Sequence, residues 1–152
     1  MRLTSFTDYT LRSLMYLGMH RDKLSTIQEI ADLHGISKNH LTKVIHQLGA
    51  SGLVETVRGR HGGLRLNREP EDINIGDVVR DSESDFHIAE CFAPEPGSCH
   101  FLRDCALKHK LGDATQAFLA VLDGVTLADI LPGPSGRPGA RPVIVQMPKK
   151  RA

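Results

Sequence analysis

The sequence predicts a mainly α-helical protein: a winged helix-turn-helix followed by a cysteine-bearing loop and one long further helix. Three observations predict it. Apolar residues recur at helical spacing through most of the chain, aromatic residues make up only 5% with no Trp, and the period-two signal is confined to one short glycine-tipped hairpin. A core drawn from Leu, Ile, Val, Met and Ala suits helices better than a sandwich of β-branched and aromatic strands. At 152 residues the chain fits one folding unit with a short appendage, which excludes a large multidomain enzyme.

Each element has its own signal. Phe6 to Met19 carries Leu11, Leu14, Met15 and Tyr16 at amphipathic spacing, entered from Thr4 or Thr7 as a cap. Ser25 with Gln28, and Thr26 with Glu29, offer overlapping capping boxes for a short second helix that buries Ile27, Ile30 and Ala31 and ends near His34-Gly35. Ser37 caps a third helix with Leu41, Val44, Ile45 and Leu48 inward, closing at Gly49 or Gly52. Leu53, Glu55 and Val57 then alternate imperfectly, Gly59-Arg60-His61-Gly62-Gly63 turns the chain, and Leu64-Arg65-Leu66 resumes an extended path. Asn74 is placed to cap a helix containing Ile75, Val78 and Val79, which the run Asp81-Ser82-Glu83-Ser84-Asp85 breaks. Pro94, Pro96 and Gly97 then favour a loop.

From about Asp104 to Leu122 the residues Leu107, Leu111, Ala114, Ala117, Phe118, Val121 and Leu122 form the longest periodic stretch, stopped by Asp123-Gly124. A helix of that length in so small a chain needs a surface along one side. The same helix of a second subunit supplies one, which predicts a homodimer; packing on the chain's own core is the alternative. Thr126 to Leu131 forms a last short helical turn. The expected organisation is a winged helix-turn-helix region over 1–80, a cysteine loop over 81–105, a long helix and short terminal helix over 106–131, and a flexible basic tail over 132–152 that ends Lys149-Lys150-Arg151.

Charge is partitioned along this plan. Residues 1–80 hold 11 Lys and Arg against 9 Asp and Glu, residues 81–131 hold 3 against 9, and residues 132–152 hold 5 against none. Within 35–68 the bases Lys38, Lys43, Arg58, Arg60, Arg65 and Arg68 face a single acid, Glu55. A basic window that coincides with the third helix and the hairpin is what a polyanion-binding head requires, although a solvated basic face has the same composition. In a winged helix the second helix of the motif enters the major groove of double-stranded DNA and the wing reaches the backbone or minor groove. The candidate DNA-binding residues are Ser37, Lys38, Asn39, His40, Thr42 and Lys43 on the helix and Arg58, Arg60, His61, Gly62, Gly63 and Arg65 on the wing. Asn39 suits adenine, Lys38 and Lys43 suit guanine or phosphate, and Arg58 is the candidate for groove insertion.

The three cysteines, Cys91, Cys99 and Cys105, lie within fifteen residues at C-x7-C-x5-C spacing. An odd number argues against a structural disulfide framework. Structural zinc prefers C-x2–4-C pairs and four closed ligands, so wide spacings on a proline-bearing loop favour an iron-sulfur cluster. Zinc and a thiol redox switch remain alternatives, and Cys105 alone fits a buried small hydrophobe. A fourth ligand is open among His87, Glu90, Glu95, His100, His109 and groups from elsewhere, including a second subunit. No run of about 18 apolar residues exists, and Arg2, Asp8 and Arg12 interrupt the N-terminal stretch where a secretory signal needs continuity, so the expected setting is cytoplasmic with no membrane partner. No set of nucleophile, base and oxyanion donor has motif support, so an enzyme is not expected.

Three segments together carry a family resemblance: the opening Met1-Arg2-Leu3-Thr4-Ser5-Phe6-Thr7-Asp8-Tyr9, the wing Val57-Arg58-Gly59-Arg60-His61-Gly62-Gly63, and the three-cysteine loop before a long helix. Over residues 1–131 the chain resembles the NsrR-type nitric-oxide-sensing repressors of the iron-sulfur winged-helix regulators that include IscR. Both the opening and the closing Thr126-Leu127-Ala128-Asp129-Ile130-Leu131 are more similar to the NsrR type. The resemblance implies a homodimeric repressor with one cluster per subunit, 4Fe-4S with 2Fe-2S as the alternative. Its ligands would be Cys91, Cys99, Cys105 and, from the other subunit, Asp8. Nitric oxide is the implied signal; iron or oxygen sensing with the same site is the alternative. IscR-like relatives place a ligating histidine three residues after the last cysteine; here that residue is Lys108, which counts against the IscR variant.

Overall fold

A computed structural model describes residues 2–95, 99 and 105–132. Pro96, Gly97 and all of the expected tail except Pro132 lie outside the described residues. The order is α1 (Ser5–Met19), α2 (Ile27–His34), α3 (Lys38–Ala50), β1 (Val54–Val57), β2 (Gly63–Leu66), α4 (Ile75–Ser82), α5 (Ala106–Asp123) and α6 (Leu127–Ile130), with 3-10 turns at Pro70–Asp72 and Glu90–Phe92. The mainly helical winged-helix expectation holds.

Capping chemistry sets the helix starts. Thr4, not Thr7, caps α1, accepting the Thr7 N–H. Thr26 and Glu29 complete a reciprocal capping box on α2, which ends on Gly35 in the left-handed conformation at φ 64°. Ser37 caps α3 by accepting the His40 N–H, so a single residue separates the helix-turn glycine from the next cap. The inward faces of these helices meet: Leu14, Leu17, Ile30, Leu41, Val44 and Leu48 are all buried, each aliphatic side chain contributing about 1.5–3 kcal/mol by leaving water.

β1 and β2 pair antiparallel from Val54 opposite Leu66 to Val57 opposite Gly63. The wing is fastened to the body by a bridge with no sequence signal: Ser25 and Leu64 exchange both backbone hydrogen bonds, at 3.0 and 2.7 Å. A Cβ on Gly63 would lie 2.8 Å from the Ser25 carbonyl oxygen, so glycine lets β2 approach this segment.

The C-terminal elements return to the same core. Leu127 of α6 is fully buried, and its N–H donates to the Ile73 carbonyl at 2.8 Å. The Ile75 N–H donates to the Val125 carbonyl, and the Asn74 side chain donates to the Asp123 carbonyl. Arg80 adds a bidentate pair with the Asp123 carboxylate at 2.6 and 2.7 Å. The rest of α5 buries no residue within the chain, and Leu107, Ala114, Ala117 and Val121 of its apolar stripe are exposed.

The acidic run breaks α4 as expected: the helix ends within it at Ser82, whose hydroxyl donates to the Val78 carbonyl at 2.8 Å. One local expectation is corrected. The loop after α4 contains the 3-10 turn Glu90–Phe92, closed by the Ala93 N–H donating to the Glu90 carbonyl.

Two predictions follow from this packing. A Cβ on Gly76 would collide with the Asp123 carboxylate while that group holds Arg80. Gly76→Ala is expected to lower unfolding free energy by about 1–3 kcal/mol in urea titration, whereas Gly49→Ala, whose Cβ meets nothing nearer than 3.9 Å, is expected to be tolerated. The Glu29 carboxyl is pulled down from 4.5 to about 2, first by the Lys23 ammonium and then by the Thr26 N–H. A depressed carboxyl stabilises the fold above its unfolded pKa and loses that contribution as pH falls through its folded value. The stability gap between wild type and Glu29→Gln should therefore be complete above pH 4.5 and close as pH approaches about 2.

Candidate nucleic-acid interface and metal site

The helix face opposite the core is the candidate reading surface. Lys38, Asn39, His40, Thr42 and Lys43 are exposed on the first two turns of α3, while Leu41, Val44 and Ile45 hold the other side in the core. Thr42 donates its hydroxyl to the Lys38 carbonyl at 2.8 Å, and Ser37 is occupied in capping. The helix N-terminus adds partial positive charge beside these lysines, an arrangement suited to phosphate.

At the wing tip Arg58, Gly59, Arg60 and His61 are exposed, with Gly59 at φ 117°, a conformation that favours glycine. The cations divide into two kinds. Arg65 is tied to Glu55 across the hairpin at 2.8 Å, so its charge is largely answered inside the wing. Among the described residues no ion pair engages Lys38, Lys43, Arg58 or Arg60. Gly62 and Gly63 serve the wing's own geometry: a Cβ on Gly62 would collide with the Val57 carbonyl oxygen, and Gly63 faces Ser25.

The cysteines are free thiols, Cys91 and Cys105 half-buried and Cys99 exposed. Cys91 sits in the Glu90–Phe92 turn. Cys105 caps α5, its Sγ accepting the Lys108 N–H at 3.4 Å. Asp8 lies in the first turn of α1, where Arg12 grips both carboxylate oxygens at 3.0 and 2.9 Å. Burial, and then the Arg12 cation, hold His34 below the usual imidazole range. Among the described residues no three His, Cys, Asp or Glu side chains are gathered closely enough to hold a metal ion. The donor chemistry nevertheless fits an iron-sulfur group: the thiols are unblocked, and an amide N–H at a helix start points at one sulfur, which is how proteins stabilise thiolate ligands.

Arg12, Lys108, Arg80 and Asp123 make these contacts without belonging to any motif in the sequence. The i,i+4 spacing of Asp8 and Arg12 was the one available signal.

A helix-turn-helix with an exposed basic face and a basic wing defines a DNA-binding regulator of the winged-helix class. The chain belongs to the Rrf2 family, described as iron-dependent transcriptional regulators, whose profile matches residues 3–133. It is 54% identical over 132 residues to the HTH-type transcriptional regulator NsrR of Bacillus subtilis, covering 86% of this chain and 90% of that protein. It is 52% identical over 132 residues to NsrR of Bacillus licheniformis, covering 86% and 92%. Among solved structures, T. potens IscR superposes with a TM-score of 0.68 at 30% identity over 85% of each chain. CymR, the global cysteine regulator of B. subtilis, superposes at 0.67 with 27% identity over 85% of this chain and 95% of its own. The chain is thus a transcriptional regulator, a non-enzymatic DNA-binding class. No helix among the described residues is long and apolar enough to cross a membrane.

The two kinds of wing residue separate experimentally. Gly63→Ala is expected to lower the melting temperature without DNA, because the added methyl meets backbone. Arg58→Ala should leave that temperature unchanged and reduce the slope of log affinity against log salt by about 1. Equal melting temperatures for Gly63→Ala and wild type would show that the wing does not need its contact with Ser25.

Proposed function

We propose that this chain is a homodimeric repressor that binds operator DNA through α3 and the wing and releases it when nitric oxide attacks an iron-sulfur cluster. The observation that carries the reading is the placement of Cys105: it caps the start of a helix whose last residue is clamped to the winged-helix body by Arg80 of α4 and by Asn74. Identity of about half with NsrR proteins over nearly the whole matched length supports the choice of signal. Cys91, Cys99 and Cys105 would hold the cluster, 4Fe-4S in this reading, with Asp8 of the partner subunit as fourth ligand. When bound, the cluster supplies iron that reacts with nitric oxide.

The chain's own residues supply the rest. The exposed stripe of Leu107, Ala114, Ala117 and Val121 offers a seam for the same helix of a second copy. Two reading heads would then address half-sites about one helical turn, ~34 Å, apart. Lys38, Lys43, Arg58 and Arg60 neutralise phosphates, and Asn39 faces base edges. Asp8 and Arg12 share α1 with Phe6 and Tyr9, which line a groove against His40, Lys43 and Val44 of α3, so a change at Asp8 has a packed route to the reading helix.

The three unblocked thiols also suit a second reading, a thiol switch through the same cysteines. Anaerobic reconstitution with ferrous iron and sulfide separates the two. The cluster reading expects a coloured, iron-bearing dimer, a colourless Cys91→Ala variant, and operator affinity that falls 5–150-fold on adding nitric oxide. Nitric-oxide-treated protein that still binds its operator at full strength would overturn it. An iron-free protein whose DNA affinity follows peroxide would support the thiol switch.

A further inference from the structure

Lys108 touches both cysteine-bearing elements that adjoin α5. Its backbone N–H donates to the Cys105 sulfur at 3.4 Å, and its ammonium lies 5.6 Å from the centre of the Phe92 ring, the residue after Cys91. That separation is within cation–π range. Phe92 in turn lies along α5: its Cε1 is 3.9 Å from where a Cβ on Gly112 would stand, which sets the ring beside the helix. Phe92 is fixed from behind by the turn, its own N–H donating to the Ala89 carbonyl at 3.0 Å. Both side chains are half-buried.

We propose that Lys108 and Phe92 form a clasp that positions Cys91 against Cys105, holding two of the three thiols ready for one metal cluster. The proposal rests on the cluster reading above and adds positioning residues to it. Two sulfurs on separate elements must otherwise lose conformational freedom when a metal joins them, and ordering them beforehand lowers that cost. Lysine suits this role because its long, flexible stem can carry the ammonium over the ring. The charge also sits beside a site that gathers thiolates, where a cation offsets their mutual repulsion.

The test uses the full chain reconstituted anaerobically with ferrous iron and sulfide, then challenged with an iron chelator while absorbance is followed. Lys108→Met and Phe92→Leu should each release iron roughly two- to fivefold faster than wild type. The double variant should be no faster than either single one, and Lys108→Arg should restore the wild-type rate. Melting temperatures of the metal-free variants should match wild type, which separates positioning from a structural role. Lys108→Met releasing iron at the wild-type rate, or single effects that multiply in the double variant, would overturn the clasp and leave the cluster reading standing. A wild-type chain that takes up no iron would overturn both.

Discussion

The long helix α5 is fastened to the body at one end. Its last residue, Asp123, takes Arg80 on its carboxylate and Asn74 on its carbonyl, and the chain then turns through Val125 to bury Leu127 in the core. The burial of Leu127, at about 1.5–3 kcal/mol, and the paired backbone of Ile73 and Leu127 hold the corner. The Arg80–Asp123 pair is more than a third exposed and screened by water, so it acts on direction more than on stability. Everything beyond this corner follows from the asymmetry: α5 is pinned at its last residue, presents an apolar stripe that its own chain leaves exposed, and carries Cys105 at its start.

That asymmetry gives the proposed sensor a mechanical logic. A helix fixed at one end passes a rearrangement at the other into whatever covers its side. In the homodimer reading the covering surface is the second copy, and the partner's first helix supplies Asp8. Arg12 already holds that carboxylate within the free chain, so ligation by Asp8 must exchange one charged partner for another. Such an exchange would take place on the helix that packs against α3, so the proposed sensor and reading head would share one element.

Much of this was legible in the sequence because local chemistry dictates it. Thr26-Glu29, Ser37 and Asn74 are caps whose spacing alone identifies helix starts, and all three behave as expected. The family resemblance drawn from the opening, the wing and the cysteine loop agrees with the matched profile over residues 3–133. What was hidden depends on contacts between distant segments. The Ser25–Leu64 bridge, the use of Gly63 and Gly76 for close approach, and the Lys108–Phe92 contact join residues with no periodic relation. The wing glycines illustrate the limit: their close approach to Val57 and Ser25 has no counterpart in the sequence pattern. The pairing of Arg65 with Glu55 likewise depends on hairpin register rather than on local sequence.

The most direct measurement of the central claim is sedimentation velocity of the cluster-loaded chain alongside Val121→Glu, which places a charge on the exposed stripe of α5. The expected result is a dimer for the wild type, a folded monomer for the variant, and loss of operator binding in step with dissociation. A wild-type chain that sediments as a monomer at micromolar concentration and still binds its operator would contradict it.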